Sequence, residues 1–206
     1  MKALFFLLIF QFVALLAFCQ IDSGSIKLLE SILRKEHPEG TLYYTDKLDS
    51  AQVLYISGYL QKRKFKNLTI SKKSVNHKIR LSRKEKKYLD SSVNTLYSIC
   101  WKDSLFENSK RIPKDSMWAH IQRRNREVYA LAMDSTRPEK IRSVNYRVMY
   151  SNTFQFCFPV YFRNRSFFLV YFLRMCGPEC GVQELSFYKR ENDSYKKWVV
   201  VMKGDF

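Results

Sequence analysis

The cysteines are the residues of this chain whose type and spacing could support chemistry. Cys176 and Cys180 bracket a Gly-Pro-Glu tripeptide near the C-terminus. On one extended strand their Cα atoms would lie roughly 13 Å apart, which exceeds the about 4.4–6.8 Å that a disulfide requires. A turn through the Gly-Pro pair would bring them within that range. We therefore expect a local disulfide or two buried thiols here, with pairing to Cys100 or Cys157 as the alternative.

A redox or metal role for this cysteine pair is less favoured. Redox enzymes of the thioredoxin kind use Cys-x-x-Cys before a helix, whereas three residues separate these cysteines and the flanking runs are strand-like. A zinc site requires four ligands, and the three histidines, His37, His77 and His120, lie away from the turn and without metal-ligand spacing. The sequence therefore predicts no metal and no cofactor.

The sequence contains few other residue patterns that indicate catalysis. The sequence has no Gly-x-Ser-x-Gly elbow, phosphate-binding glycine loop or His-Glu-x-x-His pattern. Cys100 or Cys157 could pair with a distant histidine as a thiol nucleophile, but both lie among large apolar residues, which predicts burial. We interpret Glu179, inside the cysteine turn, as a polar residue of the turn and not as a catalytic acid. A secreted or periplasmic enzyme, with a thiol or acid/base site near the Cys176–Cys180 turn, remains the alternative hypothesis.

The cysteine turn is positioned by a predicted antiparallel β-meander. Apolar runs alternate with polar turns in this region, with runs at 154–162, 167–173, 185–188 and 198–202 and turns at 163–166 and 191–194. Such short connections imply hairpins. Pro159 cannot donate to a ladder, which places the first strand at an edge or a bulge. Simple alternation in the last run predicts Trp198, Val200 and Met202 on one face.

This C-terminal segment resembles a group of small exported bacterial proteins of unknown function. The resemblance rests on an aromatic strand, the Cys-Gly-x-x-Cys-Gly turn that begins at Cys176, the run Tyr-Lys-Arg-Glu-Asn at 188–192 and Lys-Trp-Val-Val at 197–200. It covers roughly the last 60 residues of the chain. The resemblance implies export and a structural role for the cysteine turn, and it implies no activity.

The N-terminus predicts export. A short positive end precedes residues 3–18, which are almost wholly apolar, and polarity begins at Gln20. This layout is typical of a signal peptide, here residues 1–19, with Ala17 and Cys19 as the small residues before the cleavage site. Lipid anchoring at Cys19 and a retained membrane anchor are the alternatives, although the apolar run is shorter than the roughly 20 residues that span a bilayer.

Export and composition together predict the architecture. Disulfides persist in the periplasm or outside the cell, and the four cysteines left after cleavage are an even number, compatible with two bridges. Aromatic residues make up 16% of the chain, which favours a packed core over disorder. We predict a single exported α+β domain at 20–206, with a helical N-terminal half, a C-terminal antiparallel β-meander and no transmembrane span in the mature chain.

Local patterns predict the elements of the N-terminal half. Helix caps are expected at Ser25, at Asp49 or Ser50, at the Ser82-x-x-Glu85 capping box and at Asp115-Ser116. Short strands are expected at 41–45 and 78–81.

Positive charge is concentrated in residues 61–90. This segment holds twelve Lys or Arg against Glu85 and Asp90, in a chain of net charge +17. Such a surface binds polyanions by counterion release, although a solvated basic face is the ordinary alternative. The candidate anion-binding residues are Lys62, Arg63, Lys64, Lys66, Lys84 and Lys87.

Export decides which anionic partners are expected for this segment. No nucleic-acid-binding fold signature is visible. For an exported protein the partners would be anionic polysaccharide, lipid headgroups or extracellular nucleic acid. The expected function is therefore a non-enzymatic binding role in the periplasm or outside the cell.

Overall fold

The computed structural model describes residues 23–66, 77–96, 100–133, 152–177, 180–192 and 194–205. The helices of these ranges are α1 (Ser23–Glu36), α2 (Ser50–Leu60), α3 (Arg83–Leu96) and α4 (Met117–Met133), with a short 3-10 helix at Lys114–Ser116. The strands are β1 (Leu42–Thr45), β2 (Lys64–Lys66), β3 (Lys78–Arg80), β4 (Ser109–Ile112), β5 (Thr153–Phe156), β6 (Val160–Phe162), β7 (Phe167–Gly177), β8 (Cys180–Glu191) and β9 (Ser194–Asp205).

The main sheet has the strand order β4-β1-β5-β7-β8-β9, and β6 also pairs with β7. Strands β7, β8 and β9 form long antiparallel hairpins, so the predicted α+β class with a C-terminal meander is confirmed. The N-terminal half adds β1 and β4, which run parallel to each other, and β1 also runs parallel to β5. This parallel extension was not predicted. Strands β2 and β3 form a separate antiparallel pair.

The apolar run around Pro159 is not one edge or bulged strand, as predicted, but is interrupted at residues 157–159, where the proline cannot donate to a ladder. Strands β5 and β6 pair with consecutive parts of β7 on either side of residues 157–159. At the interruption the Cys157 amide donates to the Tyr171 carbonyl at 3.0 Å. The Tyr171 amide in turn donates to Cys157 Sγ at 3.1 Å. The cysteine sulfur therefore accepts a bond from the neighbouring strand where the ladder is broken.

Two hydrophobic clusters lie on opposite faces of the sheet. Successive side chains of β7 alternate between them: Leu169, Tyr171, Leu173 and Met175 belong to one cluster, and Phe168, Val170 and Phe172 belong to the other. Helices α2, α3 and α4 contribute to the first cluster. Helix α1 and the loop that carries Trp101 and Phe106 contribute to the second. Because both faces are covered by apolar groups, β7 is a central strand that is buried on both sides.

The predicted caps of α2 and α3 are present. Asp49 caps α2 by accepting from the Ala51 amide at 3.1 Å. The capping box of α3 is complete, since the Ser82 amide donates to Glu85 Oε2 at 2.7 Å and the Glu85 amide donates to Ser82 Oγ at 3.2 Å. The prediction for Ser25 is wrong: this residue lies within α1, and its hydroxyl donates to Tyr161 Oη at 3.0 Å.

The simple alternation predicted for β9 is also wrong. The partners of Leu185 and Ser186 on β8 are Met202 and Val200, so Val201 is an extra residue in β9. A bulge of this kind shifts the alternation of the strand. As a result Val199 joins Met202 in the first cluster, whereas Val200 does not. A second register shift leaves Trp198 as another extra residue, and its half-buried ring packs against the same cluster.

No helix in the described ranges is both long and apolar enough to cross a bilayer. The predicted signal peptide, residues 1–19, lies outside the described residues, and so does Cys19 as an alternative lipidation site.

Candidate anion-binding surface

Strands β2 and β3 bring four cations together on one face. The opposed pairs of this ladder are Lys64 with Arg80, Phe65 with Ile79 and Lys66 with Lys78. Because side chains alternate along a strand, the apolar pair lies on one face and the four cations lie on the other. Phe65 and Ile79 are each 4% exposed, and all four cations are exposed. We call these four residues, Lys64, Lys66, Lys78 and Arg80, the cationic ladder.

Apolar and polar contacts fix this hairpin against the main sheet. The rings of Phe65 and Phe187 lie 5.3 Å apart between centroids. Trp198 on β9 donates from Nε1 to the Lys78 carbonyl at 3.3 Å, and its ring stacks on His77 at 3.6 Å. Lys189 Nζ lies 4.3 Å from the centre of the Trp198 ring. The hairpin therefore buries its apolar face on the sheet and presents the cationic ladder outward.

No carboxylate of the described residues pairs with the cationic ladder. The ion pairs in these ranges use other cations, among them Lys114, Arg163 and Lys197. The chain between β2 and β3, residues 67–76, contributes two further lysines and no acidic residue to the sequence. Among the described residues, the positive charge of the cationic ladder is therefore not balanced by an ion pair, and like charges placed directly opposite each other destabilise a β ladder.

The two acidic residues of segment 61–90 are engaged elsewhere. Arg163 Nε donates to Glu85 Oε1 at 2.6 Å, and this hydrogen bond lowers the pKa of Glu85 to about 2. The same guanidinium donates from Nη2 to the Arg80 carbonyl at 2.6 Å. Asp90 accepts a hydrogen bond from the Ser57 hydroxyl. Neither carboxylate forms an ion pair with the cationic ladder.

All six anion-binding candidates from the sequence, Lys62, Arg63, Lys64, Lys66, Lys84 and Lys87, are exposed. The first two follow α2, the next two are on β2, and the last two are on α3. The Leu81 amide donates to the Arg63 carbonyl at 2.9 Å, which brings the start of α3 next to the end of α2. The sequence-based set missed Lys78 and Arg80, although the polar-apolar-polar pattern shared by 64–66 and 78–80 indicates two strands with the same outward face.

The cysteine turn contains a local disulfide. Cys176 and Cys180 are bonded, with their Cα atoms 5.1 Å apart, as one of the two predicted arrangements requires. Cys100 and Cys157 are free thiols, so the second bridge that an even cysteine count allowed is not formed in this structure. Cys100 is exposed, contrary to its predicted burial. The adjacent Trp101 takes the buried position instead, with 1% of its surface exposed.

The buried Cys157 thiol offers little support for nucleophilic catalysis. Burial raises the pKa of the Cys157 thiol to about 12, which keeps it protonated, whereas the nucleophile is the thiolate. Near the disulfide, Asn125 on α4 donates from Nδ2 to the Cys176 carbonyl at 2.7 Å. Glu179 lies outside the described residues. Within the described ranges, no three His, Cys, Asp or Glu side chains converge as metal ligands.

Comparison with known proteins gives no family assignment. No family model matches this chain, and neither a curated protein nor a solved structure matches it significantly. The resemblance of the C-terminal segment to small exported bacterial proteins therefore stays a prediction.

Proposed function

We propose that this chain is an exported, non-enzymatic protein that binds an anionic envelope or extracellular partner through the basic surface of residues 61–90. The observation that carries this proposal is the cationic ladder. Its four exposed cations lie in opposed pairs without a described carboxylate partner.

The ladder has an electrostatic cost that an anionic partner would offset. Opposed like charges in a β ladder repel each other, and the repulsion is screened only in part at physiological ionic strength, where the Debye length is about 8 Å. A phosphate, sulfate or carboxylate group bound between the pairs would convert this repulsion into attraction. Release of counterions from a polyanion would add to the affinity and make it dependent on salt.

Four further exposed cations flank the ladder strands along the chain. Lys62 and Arg63 precede β2, and Lys84 and Lys87 lie on the exposed side of α3. A set of several cations suits a polymer with repeated anionic groups better than it suits a single small ion. The predicted signal peptide supports a partner at the cell envelope or outside the cell.

The test is binding as a function of salt concentration. Purified mature protein is titrated with lipopolysaccharide and with duplex DNA as polyanion probes, by fluorescence anisotropy or a sedimentation assay. A variant with Lys→Glu changes at Lys62, Lys64, Lys84 and Lys87 should lose binding to both probes, and wild-type affinity should fall steeply with added salt. Binding that survives these four changes, or that does not depend on salt, would overturn the proposal.

A further inference from the structure

Helix α2 has an outward face without charge. The whole helix Ser50–Leu60 contains no Asp, Glu, Lys or Arg. Its inner residues Val53, Ile56 and Leu60 are buried in the core. Positions 51, 54, 55 and 58, which follow the spacing of one helix face, are exposed. Leu54 is 72% exposed and Tyr55 is 39% exposed. Surface helices ordinarily carry charged or polar residues on this face.

The uncharged face continues into the basic surface. Tyr55 and Tyr59 are one turn apart, and their rings make an edge contact with centroids 5.1 Å apart. Lys62 Nζ lies 5.3 Å from the centre of the Tyr59 ring. One side of the helix therefore leads from Leu54 through two tyrosines to the first cation of segment 61–90.

Helix α3 lies beside α2 on the same face of the sheet. The hydrogen bond from Ser57 to Asp90 joins the two helices laterally, and both contribute buried side chains to the first hydrophobic cluster. The exposed side of α3 carries Lys84 and Lys87, together with Tyr88, which is 45% exposed. The outer surface of the helix pair therefore combines an exposed leucine, exposed tyrosines and lysines.

We infer that this surface docks on an anionic lipid bilayer, with the outer face of α2 entering the headgroup region and the lysines contacting lipid phosphates. This inference rests on the proposed function and specifies its partner. Helices that lie in a membrane interface have an apolar face beside basic residues, and tyrosine is enriched at that depth. A soluble polysaccharide or DNA would satisfy the cations, but it would leave Leu54 in water. A bilayer offers an apolar phase and negative charge together.

The test compares two ligands that share negative charge but differ in the apolar phase. Sedimentation with vesicles containing phosphatidylglycerol is measured beside anisotropy with duplex DNA. Leu54→Ser combined with Tyr55→Ser should weaken vesicle binding about ten-fold or more, since apolar burial is lost, and should leave DNA binding unchanged. The matched control is Tyr129→Ser on α4, which alters a tyrosine that is 64% exposed outside this surface. It should bind both ligands as the wild type does.

The outcomes separate the inference from the proposed function on which it rests. If the double variant binds vesicles as tightly as the wild type, the docking inference fails, while a loss of binding in the Lys→Glu variant would keep the proposed function. If DNA is bound and vesicles are not, the partner is a polymer and the inference fails. If the Lys→Glu variant binds both ligands normally, both proposals fail.

A second variant tests insertion directly. Leu54→Trp places a fluorophore on the outer face of α2, and brominated acyl chains quench indole fluorescence only at close range. We expect more quenching of this variant than of the wild type, whose Trp118 is 43% exposed on α4. Equal quenching of the two proteins would overturn the inference.

Discussion

Lys66 and Lys78 lie directly opposite each other in the β2–β3 ladder, and both side chains are exposed. Opposed Cβ atoms in such a ladder are only about 4.5–5.5 Å apart, so the two ammonium groups repel each other. Burial of Phe65 against Phe187 on the other face holds the hairpin in place. The fold thus maintains an arrangement that is unfavourable by itself and would become favourable with an anion bound.

Removing one member of this pair should stabilise the unliganded protein. Lys78→Thr keeps a residue with good strand propensity and ends the repulsion with Lys66. We expect the free energy of unfolding at low salt to rise by roughly 0.2–1 kcal/mol, and the gain should shrink as salt screens the wild type. Denaturant titrations at low and high salt measure both effects.

The matched control for this change is Lys203→Thr on β9. Lys203 is also exposed on a strand, but its opposite residue is Glu184. This variant should not gain stability at low salt. An equal gain in both variants would mean that strand propensity raises the free energy of unfolding. It would contradict the predicted repulsion between Lys66 and Lys78.

The ion pair between Glu85 and Arg163 should make stability depend on acid pH. The hydrogen bond from Arg163 lowers the pKa of Glu85 to about 2, below the value of roughly 4.3 in an unfolded chain. The unfolded state therefore binds the proton first as the pH falls. The contribution of this carboxylate is complete above about pH 5 and is lost progressively towards pH 2.

Glu85→Gln tests that contribution. Glutamine still suits the capping box of α3, so the change isolates the loss of charge. At neutral pH we expect a loss of about 1 kcal/mol, a modest value because both side chains are partly solvated. Thermal unfolding between pH 2 and 7 should show a weaker pH dependence in this variant than in the wild type. Identical pH profiles would contradict the role given to Glu85.

The four described cysteines should react with an alkylating reagent in a fixed order. Cys100 is exposed, so it should be modified in the native oxidised protein. Cys157 is buried and its pKa is raised to about 12, so it should react only after unfolding. Cys176 and Cys180 should react only after reduction. Intact-mass measurements after native, denaturing and reducing alkylation distinguish the three classes, and rapid native labelling of Cys157 would contradict the structure.

Trp198 should hold the hairpin against β9. Trp198→Phe keeps an aromatic ring but removes the hydrogen bond to the Lys78 carbonyl, a loss of about 0.5–1.5 kcal/mol. We expect faster amide exchange in β2 and β3 and little change in β7. Trp118→Phe, at an exposed position on α4, is the control and should leave the hairpin unaffected. Unchanged exchange in the Trp198 variant would mean that the hairpin is held by other contacts.

Local sequence patterns predicted the elements that depend on neighbouring residues. The capping box at Ser82 and Glu85 and the cap at Asp49 need only a few adjacent side chains, and both are present. The antiparallel meander is likewise built from short connections. The local disulfide was one of two arrangements that the spacing of Cys176 and Cys180 allowed, and the spacing could not choose between a bridge and two thiols.

Features that depend on distant partners were not predictable in this way. Strand β1 is four residues long, and Tyr43 pairs with Thr153, far along the chain. A short segment carries too little pattern to specify such a partner. The cationic ladder was unpredictable for the same reason, because Lys78 becomes the neighbour of Lys66 only when two separate short strands pair in one register.

The most direct test of the account is a comparison of two charge variants with equal net charge. One replaces the cationic ladder, Lys64, Lys66, Lys78 and Arg80, with glutamine. The other replaces four exposed cations elsewhere, Lys27, Lys35, Lys102 and Arg126, with glutamine. Affinity for duplex DNA and for phosphatidylglycerol vesicles is measured over a range of salt concentrations.

If the basic surface is the binding site, only the ladder variant should lose affinity for both ligands. Its slope of log affinity against log salt for DNA should become shallower by up to about 3.6, since four cations are removed and each phosphate contact contributes about 0.9. The variant with the distant substitutions should bind almost as the wild type does. Equal losses in the two variants would show that net charge alone governs binding, and they would contradict the assignment of residues 61–90 as the site.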